Sequence, residues 1–297
     1  MAVSSFIEIM EVVRGPEGLR STLDLLRASE IASVGAGANR EEAARPYLHQ
    51  ADGGTVAILN VAENEFSIAG PADPGANPLD PVANFYAIQA AAAQARYVIV
   101  IVHGGHERFS YPSRRMIDTY RFFVDAGAHA VIGHHAHCYS GVETYRHAPI
   151  FYGLGNFIFD RDTRNAKWNY GYAVQLTLGA GGAITHSVVP YVQGDANPGV
   201  RLLTGDALAR FERDFDAIND VIRDPARLAE QWDGFVADRA GSIMRTLLPM
   251  NSYLTRMYLT LGLPLPLSRT RTLRLLNTVR CESHRDVLLN VLKNISR

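Results

Sequence analysis

The length, composition and charge of the chain limit the classes of protein it can belong to. Its 297 residues are enough for one large domain or two modest ones, and 47% of them are hydrophobic and 20% charged, as in ordinary globular proteins. A net charge of −1 argues against non-specific electrostatic binding to nucleic acid or to an anionic membrane. The two cysteines, Cys138 and Cys281, lie far apart, so we expect a reducing compartment rather than a disulfide framework.

The amino-terminal stretch predicts neither a signal peptide nor a membrane span. Glu8 and Glu11 interrupt its apolar residues, and the basic start of a signal peptide is missing. Elsewhere no segment approaches the roughly 18 uncharged apolar residues that a membrane-spanning helix needs. We therefore expect a cytoplasmic protein without a membrane span.

The first third of the chain predicts short elements around one buried strand. Leu19, Leu23 and Leu26 recur at helical spacing, and a later run of β-branched and apolar residues is bounded by paired glycines. In chain order we predict a helix over residues 15–28, a short strand over 33–37, a helix over 40–45, a buried strand over 55–61 and a surface loop over 69–81.

Helices and buried strands then alternate. We predict helices over residues 82–95 and 113–126, and strands over 97–102 and 130–132. This alternation is typical of βαβ units and of a sheet covered on both faces.

The last part of the chain changes character. Residues 149–159 and 172–178 predict further strands, with a turn at 179–182, and from about residue 205 the strand signals give way to amphipathic stretches. We therefore predict an α/β domain over residues 1–200 and a helical C-terminal extension over 201–297.

Histidines cluster where two of the predicted strands end. His103 and His106 follow one strand, and His134, His135 and His137 follow the next, with glycines beside both groups. Ligands of open α/β sheets lie outside the carboxyl ends of the strands, which is where these five of the chain's ten histidines fall. We interpret the cluster as a metal or catalytic site; the alternative is that they are ordinary hydrogen-bonded strand-end residues.

Residue type and spacing suggest roles within this cluster. In an extended His-x-His, side chains two apart lie on the same side, so His135 and His137 can face one metal together with His103. Imidazole suits zinc, iron, nickel and manganese, which leaves the identity of the metal open. His134 or His106 could protonate a leaving group, because the unperturbed pKa of histidine lies near physiological pH.

Two smaller signals accompany the histidines. Glu63 and Glu65 follow a strong strand and could act as general acid and base or bind a cationic group, but we favour a solvated loop. Arg115 lies at the start of a predicted helix, where arginine and backbone amides can hold an anionic group of a substrate; the alternative is plain surface charge.

Three ordered segments, residues 98–109, 125–137 and 150–160, resemble the capsule-synthesis CapA family. The resemblance covers roughly residues 15–190. It implies a fold similar to the calcineurin-like metallophosphoesterases, an α/β/β/α sandwich with a divalent metal centre of manganese, iron or zinc. It also implies a small-molecule or polymer substrate from capsule polysaccharide or poly-γ-glutamate metabolism.

The resemblance carries over to individual residues. His103 and Glu107 match the family's His-x-Gly-x-Glu motif, which implies a catalytic role for Glu107, and His135 and His137 match its His-x-His pair. Asn156 lies in the Leu-Gly-Asn-Phe signature, where its amide orients a ligand or holds a turn.

The chain also departs from the family pattern. The Gly-Asp and Asn-His-x-x-Asp segments expected ahead of Gly18 are absent, and residues 9–14 read Ile-Met-Glu-Val-Val-Arg. We therefore expect an N-terminally incomplete sandwich, or a recorded start downstream of the true one. Two functions stay open: a metal-dependent hydrolase or transferase, and a catalytically degenerate accessory protein that binds a polymer end or a partner enzyme of the same pathway.

Overall fold

The computed structural model describes residues 11–65, 67–159, 166–179, 182–194, 199–247, 257, 260–261 and 268–295. The chain divides into two compact units, Met1–Leu228 and Ala229–Arg297. In the described part of the chain, every helix is too short or too polar to be a candidate membrane span.

The first unit alternates helices and strands. Its helices are α1 (Glu11–Ala28), α2 (Arg40–Ala43), α3 (Pro81–Ala92), α4 (Arg114–Asp125), α5 (Ala166–Asn169) and α6 (Gly205–Arg223), and α7 (Pro225–Leu247) begins there. Its strands are β1 (Ala36–Gly37), β2 (Tyr47–Ala51), β3 (Gly54–Ala62), β4 (Gly75–Ala76), β5 (Tyr97–His103), β6 (Ala130–His134), β7 (Val142–Tyr145), β8 (Ala148–Phe151), β9 (Tyr170–Leu178), β10 (Ile184–Gln193) and β11 (Val200–Leu202).

A six-stranded mixed sheet forms the centre of this unit, in the order β2-β3-β5-β6-β8-β7. Strands β3, β5, β6 and β8 run parallel, and β2 and β7 pair antiparallel at the two edges. The register places Ala62 beside His103 and His103 beside His134. The carboxyl ends of β3, β5 and β6 therefore lie level with one another at one edge of the sheet.

A second sheet packs on the first. It is antiparallel, in the order β11-β10-β9. Alternate side chains of β5 serve two interfaces, as expected for a strand buried on both faces. Val98, Val100 and Val102 belong to the large core that includes residues of α3 and α4, whereas Tyr97 and Ile101 belong to a smaller cluster together with Leu178 and Ile184 of the second sheet.

These layers confirm the predicted α/β fold, in which a helix-covered mixed sheet packs against a second sheet. Within the first unit, helix α6 packs on the core through Phe211, whose ring lies 4.8 Å from that of Tyr139. The division predicted at residue 200 stays a prediction.

Several elements differ from the sequence-based expectation. The strand expected over 33–37 is only the two-residue β1, which pairs with β4 in the segment expected to be a loop. The strand expected over 149–159 ends at Phe151, because the chain turns through Gly153 and Gly155, and Gly155 has a φ of 82°. The edge strands β2 and β7 were not predicted. The turn expected at 179–182 falls partly on residues 180–181, outside the described part of the chain.

The second unit is helical in its described residues. It contains most of α7, then α8 (Arg269–Arg280) and α9 (Glu282–Ile295). Val236, Val287 and Val291 form its apolar cluster, against which Trp232 and Phe235 pack. A helical C-terminal extension, as predicted, is present.

Candidate metal centre

The backbone brings the predicted site loops to a common level. The Glu63 amide donates to the His103 carbonyl at 3.0 Å, and the Gly104 amide donates to the His134 carbonyl at 2.8 Å. These bonds continue the ladders of β3, β5 and β6 for one residue beyond each pair of strands. The side chains that follow the strands therefore start from fixed positions.

His103 and His135 meet at this edge of the sheet. Nε2 of His103 and Nδ1 of His135 lie 3.0 Å apart, and the ring centroids are separated by 4.8 Å. The ring of His134 stacks on that of His103 at 6.2 Å. His135 is only 6% exposed. The imidazoles of two different loops thus converge, which a set of unrelated surface histidines would not do.

Strained backbone produces this convergence. His135 has a φ of 113° and His137 a φ of 56°, in the region that favours glycine. Non-glycine residues occupy it at a cost and are concentrated at functional sites. The Arg108 amide donates to the Ala136 carbonyl at 2.8 Å, which ties the loop after β5 to the turn after β6.

His137 is oriented by Asn156. Nδ1 of His137 and Oδ1 of Asn156 lie 2.8 Å apart, and Nδ2 of Asn156 donates to the carbonyls of His137 and Trp168. Because an amide oxygen only accepts, Nδ1 of His137 is the donor, which makes Nε2 the nitrogen that would bind a metal. The rings of His135 and His137 are 5.7 Å apart, so His137 lies beside the close pair rather than within it.

Burial favours the neutral forms of His103 and His134. Desolvation, followed by repulsion from His135, His134 and His137, lowers the pKa of His103 well below 6.5. Desolvation, followed by repulsion from His135 and His137, lowers the pKa of His134 to about 4. Neutral imidazoles are the form that binds metals. At neutral pH His134 therefore carries little proton to give, which disfavours its predicted role as a proton donor.

Two carboxylates also reach the site. Oε1 of Glu65 lies 4.0 Å from Nε2 of His135. Glu63 is 4% exposed and accepts from Nη2 of Arg115 at 2.6 Å. The expectation of a solvated loop after β3 was therefore wrong. A Cβ on Gly104 would come within 2.7 Å of the Glu63 side chain, so the glycine leaves room for the buried carboxylate.

The remaining predicted residues are spread around this centre. His106 is buried against Phe109, with ring centroids 6.4 Å apart, whereas Glu107 next to it is exposed. Arg115 is fixed by Glu63 at the start of α4. The catalytic and substrate-binding roles expected of these residues stay predictions.

Two residues of the site were missed from the sequence. Trp168 stacks on His137 at 5.0 Å, and the Arg108 guanidinium lies 5.9 Å from the centroid of the Trp168 ring. Trp168 belongs to the four-residue helix α5 and follows no periodic pattern. Arg108 could have been noticed as the basic residue directly after the His-x-Gly-x-Glu segment.

The donors fit a divalent cation. Two imidazole nitrogens that bind one ion at about 2.0–2.1 Å in tetrahedral geometry lie about 3.3 Å apart. The 3.0 Å between the His103 and His135 nitrogens is a few tenths of an ångström shorter, so a small rotation of either ring would accommodate an ion. Nδ1 of His103 and Nδ1 of His134 are buried and have no hydrogen-bond partner among the described residues. Imidazoles with a nearby carboxylate suit zinc, iron or manganese.

Comparison with known proteins places this chain in a family. A model of the family described as "Bacterial capsule synthesis protein PGA_cap" matches residues 13–161, which is half of the chain. The chain belongs to this family. The match contains β3, β5, β6 and β8 with the histidine loops between them.

Two curated relatives are similar over more of the chain. The "PGA biosynthesis protein CapA" of Bacillus subtilis (strain 168) is 32% identical over 62% of this chain and 49% of its own length. The "Capsule biosynthesis protein CapA" of Bacillus anthracis is 30% identical over 62% of this chain and 46% of its own. The chain thus matches about half the length of these relatives.

A solved structure described as a novel phosphatase of Mycoplasma pneumoniae overlaps 37% of this chain and 35% of its own, with 15% identity and a TM-score of 0.26.

Proposed function

We propose that the protein is a metal-dependent hydrolase or transferase that acts in the synthesis of a capsule polymer, either a polysaccharide or poly-γ-glutamate. The names of the two Bacillus relatives support the pathway. The observation that carries the reaction type is the 3.0 Å approach of the His103 and His135 ring nitrogens at the carboxyl ends of β5 and β6.

His103 and His135 would hold the cation, with Nε2 of His137 and the Glu65 carboxylate as further ligands. A divalent ion there supplies a polarised phosphoryl or acyl oxygen and a bound water of lowered pKa. The protein contributes the buried imidazoles and their fixed geometry. Asn156 orients His137 through its Nδ1, as outer-shell partners of histidine ligands do.

The proton-transfer roles follow from burial and exposure. His134 stacks on His103, and its pKa of about 4 makes it a weak base that carries little proton at neutral pH, so His106 remains the candidate for donating a proton to a leaving group. The catalytic role of the exposed Glu107 stays a prediction. We assign Arg115 the task of fixing Glu63 and the start of α4, because its charge is offset by that carboxylate.

A second candidate function is an accessory protein that binds a polymer end without catalysis. One observation favours it: 3.0 Å is also the length of a direct hydrogen bond between two neutral imidazoles. A pair held together in this way would need no cation.

Metal analysis with a matched pair of variants separates the two functions. His135 and His147 both have positive φ, 113° and 73°, so replacement by alanine leaves similar backbone strain at each position. We expect His135→Ala to lose bound metal, measured by elemental mass spectrometry, and to lose hydrolysis of a chromogenic phosphodiester. The exposed His147→Ala control keeps both. Wild-type protein that binds no metal, or His135→Ala protein that keeps a full complement, would favour the accessory protein.

A further inference from the structure

Two arginines of the first unit share an unusual setting. Arg108 has a φ of 62° and Arg146 a φ of 47°, and both are exposed. Each guanidinium lies over an aromatic ring, Arg108 at 5.9 Å from the centroid of Trp168 and Arg146 at 5.6 Å from that of Tyr145. Stacking on a ring orients an arginine without neutralising its charge.

The two arginines differ in their acidic partners. Nε of Arg146 lies 3.2 Å from Oδ1 of Asp125, so this arginine joins the β7–β8 turn to the end of α4. Within the part of the chain that the structure describes, no carboxylate forms an ion pair with Arg108. The ion pair with Asp125 gives Arg146 a structural role. Arg108 keeps its full charge at the surface.

The position of Arg108 is fixed beside the candidate metal centre. Its amide donates to the carbonyl of Ala136, which lies between His135 and His137. The Trp168 ring that it covers stacks on His137 at an interplanar angle of 26°. Guanidinium, indole and imidazole therefore form one continuous series of contacts. An anion bound by Arg108 would lie next to a group bound at the histidines.

We propose that Arg108 is a specificity-determining residue that binds an anionic group of the substrate, a carboxylate or a phosphoryl group adjacent to the reacting bond. The proposal rests on the proposed function and deepens it, because it names the charge of the substrate. A guanidinium donates two parallel hydrogen bonds to the paired oxygens of such groups. Arg115, the residue expected for this task from the sequence, is instead offset by Glu63 at 2.6 Å.

Fluorescence of Trp168 provides a readout that needs no catalysis. The chain has two tryptophans, so in the Trp232→Phe background the signal reports on Trp168 alone. Full-length protein is titrated with three probes: a γ-linked glutamate trimer, its neutral γ-linked glutamine counterpart, and inorganic phosphate. The variants are Arg108→Ala, Arg108→Lys and the matched control Arg146→Ala.

We expect Arg108→Ala to weaken binding of an anionic probe by about tenfold to a hundredfold, the usual range for hydrogen bonds to a charged group. Arg108→Lys should restore part of it, and Arg146→Ala should bind like the parent. Loss with the glutamate trimer identifies a carboxylate subsite, and loss with phosphate alone identifies a phosphoryl subsite. The proposal is overturned if the parent and Arg108→Ala bind the anionic probes equally, or if the parent binds none of them. It is also overturned if Arg108→Ala weakens binding of the neutral glutamine probe as much as binding of the glutamate trimer.

The same titration distinguishes this failure from a failure of the proposed function. If the protein holds metal and is active but Arg108→Ala changes nothing, only the anion subsite is refuted. If anion binding depends on Arg108 while wild-type protein carries no metal, the subsite stands and the metal-dependent reaction is refuted.

Discussion

Two turns of the first unit contain non-glycine residues with positive φ, but the strained conformation has a different role in each turn. The turn after β6 contains His135 and His137 at positive φ, and the turn between β7 and β8 contains Arg146 and His147 at φ 47° and 73°. In the second turn, both central residues have the left-handed conformation that a two-residue hairpin requires, and Tyr145 pairs with Ala148 across it. Its strain serves strand pairing.

The turn after β6 closes no hairpin, because β6 pairs in parallel with both of its neighbours. Its strain places a nitrogen of His135 3.0 Å from one of His103. Left-handed residues alone therefore do not identify a site. The contacts of the side chains identify it. Arg146 of the hairpin turn forms an ion pair with Asp125, whereas the side chains of the turn after β6 join a cluster of imidazoles.

The largest expected effect comes from removing the partner of His135. His103→Ala should reduce metal affinity by more than about 100-fold, since changes to outer-shell partners alone commonly cost 10- to 100-fold. Activity should fall in parallel. Metal titration of the purified variant checks this, with His147→Ala as the control from the hairpin turn. If His103→Ala binds metal with unchanged affinity, the turn after β6 does not serve a metal site and no longer differs in role from the hairpin turn.

A smaller loss is expected at Asn156. Asn156→Ala removes the acceptor that fixes Nδ1 of His137, so metal affinity should fall by about 10- to 100-fold while the fold persists. Asn156→Asp keeps an acceptor for His137 and should recover part of the affinity. If both variants bind metal like the parent protein, His137 is not a ligand.

The sequence predicts the features that local residue patterns determine, but not the features that depend on contacts between residues distant in the chain. The buried strands β3, β5 and β6, and the histidines at the ends of β5 and β6, were predicted because apolar runs are a property of local sequence. The position of the His135 nitrogen depends on a φ that histidine rarely adopts, so no pattern could give it. The burial of Glu63 depends on Arg115, which is 52 residues away in the sequence. The position of Trp168 likewise depends on a residue distant in the sequence, His137, on which its ring stacks.

Glycine substitution sharpens the comparison through stability. His147→Gly should raise the free energy of unfolding by about 0.5 to 1 kcal/mol, because glycine relieves a left-handed conformation and loses part of that gain to unfolded-chain entropy. His135→Gly should relieve strain in the same way but abolish metal binding. Urea denaturation and metal analysis of both variants test this. A stability gain with full metal content in His135→Gly would show that its strain serves no ligand.

The smallest effect concerns a histidine outside both turns. Nδ1 of His129 accepts from the Val98 amide, and desolvation lowers the pKa of His129 below 6.5. The unfolded chain then takes up the proton first, so this contribution is complete above pH 6.5 and is lost as the pH falls towards the folded pKa. His129→Asn keeps an acceptor that does not titrate. We expect it to flatten the decline in stability between about pH 7 and pH 5; a slope identical to that of the parent would contradict this.

A crystal of zinc-loaded protein measured at the zinc absorption edge tests the central claim most directly. We expect an anomalous difference peak about 2.0–2.1 Å from both Nε2 of His103 and Nδ1 of His135. A loaded crystal with no peak there, in which the two rings share a direct hydrogen bond, would contradict the metal centre.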